Sequence, residues 1–282
     1  MRVANDLFKS MRTMLARLIV QNGSWLSALK RIPGFQFCVK RLNARLLPTS
    51  YRMWFQVQKG AGKGIWLRLN PRTGAQYYLG QADTDLQRIL QENLRPGMVF
   101  YDIGSNNGFF SLLAGRIVGP EGQVVAFEAE PRLGGIVLEN IDRNSAHNVR
   151  LVQSAVWSSS GFVDFCPADP SISPDLGLGR VVTNSGVKVV VVPSLCLDEF
   201  VETERPPDLI KCDVEGAEVE IFRGAKKVLT KYKPLVECEV HSDEVRRLLP
   251  VMFQELKYDV RWLSGNHFFA VPYDLPGRKM VA

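Results

Sequence analysis

The sequence predicts an α/β protein built on a parallel sheet with helices on both faces. Three observations predict it. From residue 98 onward, short continuous apolar runs alternate with helical patterns, as in a sheet buried on both faces. The first of these runs enters a turn rich in glycine and asparagine, Asp102-Ile-Gly104-Ser-Asn106-Asn-Gly108. Acidic and imidazole side chains (Asp213, Glu239, His241) then follow later strands, at the carboxyl ends where such sheets bind ligands.

The 282 residues are 46% hydrophobic and 23% charged. That composition excludes global disorder, a collagen-like chain and a coiled coil. Charge is uneven along the chain. Residues 1–52 hold ten Lys or Arg against one acid, Asp6, a net of +9, whereas the remainder holds 25 basic and 28 acidic residues. Val3, Leu7, Met11, Leu15 and Leu18 recur at helical spacing, with Arg2, Lys9, Arg12 and Arg17 elsewhere. The spacing predicts an amphipathic basic helix in a 1–52 extension, lying on an anionic membrane surface or packed on its own domain. No run spans a bilayer, and no secretory signal is expected. Five scattered cysteines (Cys38, Cys166, Cys196, Cys212, Cys238) lack metal or redox spacing and point to free thiols in a reducing compartment, hence to the cytoplasm or its membrane face.

Residues 53–97 read as a segment leading into the core. Strands at 54–57 and 65–69 flank Lys-Gly-Ala-Gly-Lys-Gly, a hairpin turn without phosphate-loop spacing. Asp83 or Thr84 caps a helix over 85–93 that Arg95-Pro96-Gly97 ends. The core, 98–282, begins with strand 98–103 and helix 109–117. Strand 123–128, helix 132–143 and strand 148–153 follow. Further strands fall at 162–166 and 187–193, around a Pro-, Gly- and Ser-rich loop at 167–186. Strand 209–212, a helix over about 216–229 and strand 235–240 come next. Ser242 caps a helix that Pro250 interrupts, and strands 258–263 and 267–272 close the chain as a hairpin.

Gly104 permits a sharp turn, and the following helix presents its amides to a nucleotide-like ligand. A dinucleotide fingerprint needs glycine where Asn106 and Phe109 stand, so a nicotinamide oxidoreductase is disfavoured. The turn matches instead the DxGxNxG form of class I methyltransferases. Glu128, closing the second strand, can accept both hydroxyls of a ribose. Ser154 and Ala155 follow the third strand, where an adenine edge would lie.

With Leu209-Ile-Lys-Cys-Asp213-Val-Glu215-Gly216-Ala-Glu218 the chain resembles the FkbM family of S-adenosylmethionine-dependent methyltransferases. Residues 101–111, 124–131, 154–161, 209–225, 233–241 and 267–272 carry the resemblance. It implies a Rossmann-like, seven-stranded sheet with the last strand antiparallel. It also implies O-methylation of a small-molecule, glycan or glycolipid hydroxyl. S-adenosylmethionine would then lie against Asp102, Gly104, Asn106, Gly108, Glu128, Ser154 and Ala155. Glu237 departs from the family, being an acid where an apolar strand residue is usual.

A sugar hydroxyl is a weak nucleophile that a base or a metal makes more reactive. Asp213 or His241 can take its proton. Asp213, Glu239 and His241 can alternatively hold a divalent cation. Glu218 reads as a complement to a helix dipole, and His147 and His267 as surface or packing residues. A non-catalytic, membrane-associated binding module with the same fold is the competing reading. Nucleic acid is not expected as a partner, because no base-amine methylation motif follows the fourth strand.

Overall fold

The computed structural model describes residues 51–168, 179–182 and 189–274. The predicted basic helix and membrane contact of residues 1–50 lie outside the described residues, as do Cys38 and most of the 167–186 loop.

The described chain opens with an antiparallel hairpin, β1 (Met53–Gln56) and β2 (Trp66–Leu69). Two helices follow, α1 (Ala75–Tyr78) and α2 (Thr84–Asn93). The carboxylate of Asp83 accepts the Leu86 N–H at 3.0 Å and starts α2. Then β3 (Val99–Ile103), α3 (Phe109–Val118), β4 (Gln123–Phe127), α4 (Pro131–Arg143) and β5 (Val149–Val152) build one half of the sheet. The other half comes from β10 (Leu209–Cys212), α6 (Glu218–Arg223), β11 (Leu235–Glu239), α7 (Asp243–Glu255), β12 (Tyr258–Trp262) and β13 (His267–Pro272).

The seven strands lie in the order β12-β13-β11-β10-β3-β4-β5. Only β13 runs against its neighbours. This is the arrangement the resemblance implies. All residues of β3 and β10 are buried, which is why both read as uninterrupted apolar runs broken only by Asp102 and Lys211. One face of the sheet packs Tyr101, Phe127, Phe222 and Phe253; the other packs Phe100, Leu112 and Val124 against Phe55, Leu67 and Leu86 of the preceding segment.

The strands read at 162–166 and 187–193 are found as β7 (Gly161–Cys166) and β9 (Val190–Leu195), and with β6 (Ala155–Val156) and β8 (Arg180–Val181) they form a separate four-stranded sheet, ordered β6-β9-β7-β8. Two sequence expectations are corrected. The helix expected over 216–229 is broken. Its α-helical part ends at Arg223, and a π-helical turn spans Val228–Tyr232. The break has a long-range cause. Asp198, in the short helix α5 (Leu197–Phe200), donates its N–H to Gly224 O, and its carboxylate accepts the N–H groups of Lys227 and Val228. A Cβ on Gly224 would lie 2.5 Å from Trp157 O, so the glycine also lets the break pack against the backbone that follows β6. Pro250 does not interrupt α7, which runs through it to Glu255. The four described cysteines, Cys166, Cys196, Cys212 and Cys238, are free thiols.

Candidate functional site

A cavity of about 390 Å³ opens at the carboxyl ends of β3, β4, β10 and β11, with α1 and the start of α2 on its far side. Its size suits a small-molecule ligand. The glycine turn forms its floor. Gly104 has φ +76°, and a Cβ there would lie 1.9 Å from Asp213 O. Only glycine therefore lets the β3 and β10 ends approach this closely. Asn106 adopts a left-handed conformation, φ 54°.

Glu128, just past β4, is buried and lines the cavity. Its two oxygens accept the N–H groups of Asn106 and Glu130, both at 2.8 Å. Burial pushes its carboxyl up, against the pull of those amides, to about 7. Ser154 and Ala155 line the apolar end beside Ala129, Phe165 and Val181. The Ser154 hydroxyl is committed to Pro193 O at 2.9 Å.

Asp102 and Gly108 do not line the cavity. Asp102 is fully buried beneath the turn, where it accepts the Ser111 hydroxyl and lies 3.4 Å from Lys211 Nζ. Lys211 also lies 3.4 Å from Asp213 Oδ2 and donates to Gly104 O at 2.6 Å. Burial works against the lysine's charge, but Asp213, Asp102 and Glu237 outweigh it and raise its affinity for the proton. One buried cation thus ties the turn to the end of β10.

The opposite end of the cavity brings Asp213, Glu239 and His241 together, as the sequence leads one to expect. His241 Nε2 lies 3.5 Å from Asp213 Oδ1, 3.7 Å from Glu239 Oε1 and 3.8 Å from Glu215 Oε2. Its Nδ1 lies 2.6 Å from Glu218 Oε1. Burial disfavours the imidazolium, but the Glu218 hydrogen bond and the nearby Asp213 and Glu215 outweigh it, and the group is pushed up to about 9.

Two residues do more than the sequence assigns them. Glu218 stands in the first turn of α6, where it complements the helix dipole, and it is also fully buried and grips the imidazole. His267, read from sequence as a surface or packing residue, lines the cavity. Its Nδ1 lies 2.7 Å from Glu237 Oε1, and its Nε2 lies 3.7 Å from Glu239 Oε2. The unusual Glu237 was the signal, because a buried mid-strand acid needs a partner.

Charge is lopsided along these walls. Asp83, Glu128, Asp213, Glu215, Glu237 and Glu239 line the cavity against Lys211, His241 and His267. A pyrophosphate would be repelled here, whereas a cationic ligand is favoured.

The family model described as the methyltransferase FkbM domain matches residues 102–260, more than half of the chain. The hexuronic acid methyltransferase AglP of Haloferax volcanii is 30% identical over 164 residues, covering 57% of this chain and 64% of the relative. A protein-L-isoaspartate O-methyltransferase of Triticum aestivum is 38% identical over 58 residues, covering 21% of this chain and 25% of the relative. The chain thus spans less than two thirds of the length of these curated relatives. The crystal structure of methyltransferase FkbM from Methylobacillus flagellatus KT aligns with a TM-score of 0.47 and 13% identity, over 68% of this chain and 54% of the other. The match over 102–260 encloses the glycine turn, the acidic strand ends and the imidazole between them, and by it the chain belongs to the FkbM methyltransferase family.

Proposed function

We propose that the protein transfers a methyl group from S-adenosylmethionine to a hydroxyl of a carbohydrate acceptor, free or lipid-linked. The observation that carries this reading is the cavity itself: a glycine-floored, apolar-ended cleft whose other end is acidic. S-adenosylmethionine, when bound, supplies an activated methyl carbon on a positively charged sulfur. Its adenosine end suits the apolar wall and Glu128, and its sulfonium suits the carboxylates beyond Gly104. The hexuronic acid named for the Haloferax relative supports a sugar as the acceptor class.

On this reading the chain's residues position two partners and move one proton. Glu128 accepts the ribose hydroxyls while its amide bonds hold the turn in place. Gly104 and Lys211 fix the height of Asp213 relative to the turn. Asp213 takes the acceptor's proton as the O–CH₃ bond forms and the S–CH₃ bond breaks. His241, holding its own proton among four carboxylates, is a poor acceptor and instead orients Asp213 and Glu239. Positioning of this kind accounts for a large share of an in-line displacement.

The test is methyl transfer from labelled S-adenosylmethionine to a panel of glycans and glycolipids, with calorimetry of cofactor binding. Asp213→Asn is expected to lower turnover by about 10²–10⁴-fold, the usual worth of a positioned base, and to leave cofactor affinity within a few-fold. Well-folded protein that does not bind the cofactor overturns the reading. Unchanged turnover in the variant removes Asp213 from it.

A further inference from the structure

We infer that the acidic end of the cleft is a binding site for one divalent cation, held by Asp213 Oδ1, Glu239 Oε1 and His241 Nε2, with Glu215 beside it. The one-ligand-per-residue atoms of Asp213, Glu239 and His241 all lie within 4.8 Å of one another. The separations from His241 Nε2 are 3.5, 3.7 and 3.8 Å to three carboxylates. None of these is a hydrogen bond. They are close to the spacing of neighbouring ligands around a tetrahedral cation with bonds of ~2.0–2.2 Å, whose edges are ~3.3–3.6 Å. Imidazole with carboxylate suits a borderline to hard divalent ion such as Zn²⁺ or Mn²⁺.

The surroundings of the cluster give a second, separate reason. A ligating imidazole usually has its other nitrogen held by a carboxylate, which fixes the ring and its tautomer. Glu218 does this for His241 at 2.6 Å while being fully buried, and its other oxygen has no hydrogen-bond partner. That places a costly buried acid behind the ring and leaves Nε2 aimed at the cavity. Lys211 engages Asp213 through Oδ2, so Oδ1 is the oxygen turned toward the ring. Glu239 is steadied from the other side by His267 Nε2 at 3.7 Å. The neighbouring group of Asp83, Glu237 and His267 is a poorer host. There the histidine nitrogen nearest both acids is already in a 2.7 Å hydrogen bond with Glu237, and Asp83 caps α2.

The ion would replace the proton that His241 otherwise carries among these acids. Its consequence for catalysis rests on the methyltransferase reading: the ion would polarise an acceptor hydroxyl, whose proton still passes to Asp213, through the Oδ2 that does not face the ion. An acidic sugar would also find a counter-charge in an otherwise repelling cleft. The binding itself needs neither cofactor nor acceptor.

The experiment is titration of Mn²⁺ into the metal-free full chain, followed by the electron paramagnetic resonance of free Mn²⁺, with Zn²⁺ as competitor. One saturable site is expected. Asp213→Asn and His241→Ala should each weaken it at least about tenfold, and Glu218→Gln by about ten- to a hundredfold, the range for an orienting partner. Asp83→Asn should leave affinity within a few-fold. Circular dichroism checks the fold of each variant, and Glu239→Gln substitutes for any that does not fold. Absence of saturable Mn²⁺ or Zn²⁺ binding at millimolar metal overturns the site. So does unchanged affinity in Asp213→Asn and His241→Ala, or a loss confined to Asp83→Asn. If the metal binds as stated and the cofactor does not, the site stands and the methyltransferase reading falls. If cofactor binds and methyl transfer proceeds in protein that takes up no metal, the reverse holds.

Discussion

At Glu128, burial and hydrogen bonding act in opposite directions, and burial wins. The carboxyl sits near 7 although two amides point at it. Between the ordinary carboxylate value of 4.5 and about 7, the folded cleft therefore binds a proton that the unfolded chain does not. By linkage, this group makes the unliganded protein lose stability as pH rises through that window. A ribose diol donates hydrogen bonds and needs the ionised carboxylate. Affinity for S-adenosylmethionine should accordingly rise with pH up to about 7 and then level off. Glu128→Gln should flatten that profile and weaken binding by ~1.5–3 kcal/mol, the worth of hydrogen bonds to a charged group. Calorimetry across this pH range decides it: a flat wild-type profile takes Glu128 out of ribose recognition. The position of Glu128 was legible from sequence, because an acid closing the second strand falls at the ligand-binding rim of the sheet. The partners of Glu218 and His267 were not, because they lie 23 and 30 positions away along the chain.

The elements were legible where their signal is local. Strands buried on both faces read as apolar runs, and helices as 3.6-residue patterns with caps at Asp83 and Ser242. The four-stranded sheet was not, because β6 pairs with β9 across 39 positions and nothing in either run says which sheet it joins. The break at Gly224 was hidden for the same reason, its cause being Asp198. Helix α4 shows how much one long-range contact can carry. Asn140, fully buried, accepts the Arg68 N–H from β2 and donates to Asn107 O in the glycine turn, each at 2.8 Å. One turn later Asn144 bonds both the N–H and the carbonyl of Trp66. Together these asparagines seal the outer edge of the hairpin and hold the turn from behind. Asn140→Ala leaves a buried donor and a buried acceptor unpaired, so it should cost ~2 kcal/mol in urea unfolding. Cofactor affinity should fall with it. Loss of stability without loss of affinity would show that the turn holds its shape unaided.

For the whole molecule, the question is whether the segment before the parallel sheet is a separate unit or part of the core. The sequence places a boundary at residue 97, because Arg95-Pro96-Gly97 ends a helix there and strand–helix alternation begins at 98. The packing runs across that boundary. Phe55, Leu67, Leu86 and Leu90 share one buried cluster with Phe100, Phe109, Leu112 and Val124. Tyr77 meets Phe109 edge to face with ring centroids 5.7 Å apart. A Cβ on Gly62 would lie 2.5 Å from Phe109, so the hairpin turn sits directly on α3. The same segment closes the cavity, which is lined by Gln76, Tyr77, Ala82, Asp83 and Leu86. Uncovering four side chains as large as Phe100, Phe109, Leu112 and Leu113, at ~1.5–3 kcal/mol each, removes an amount comparable to the roughly 5–15 kcal/mol that holds a domain folded. A chain of residues 98–274 should therefore retain helical far-ultraviolet dichroism but lose its near-ultraviolet signal and its cooperative melt, as expected of a collapsed state without fixed packing. A chain of residues 51–274 should melt cooperatively. If the shorter chain melts as sharply and at the same temperature, the segment is an appendage, and the wall it gives the cavity is dispensable for the fold. If it does not, the hairpin and its two helices are as much a part of the catalytic domain as the sheet, and substitutions at Tyr77 or Leu86 should alter cofactor binding even though the family match begins only at residue 102.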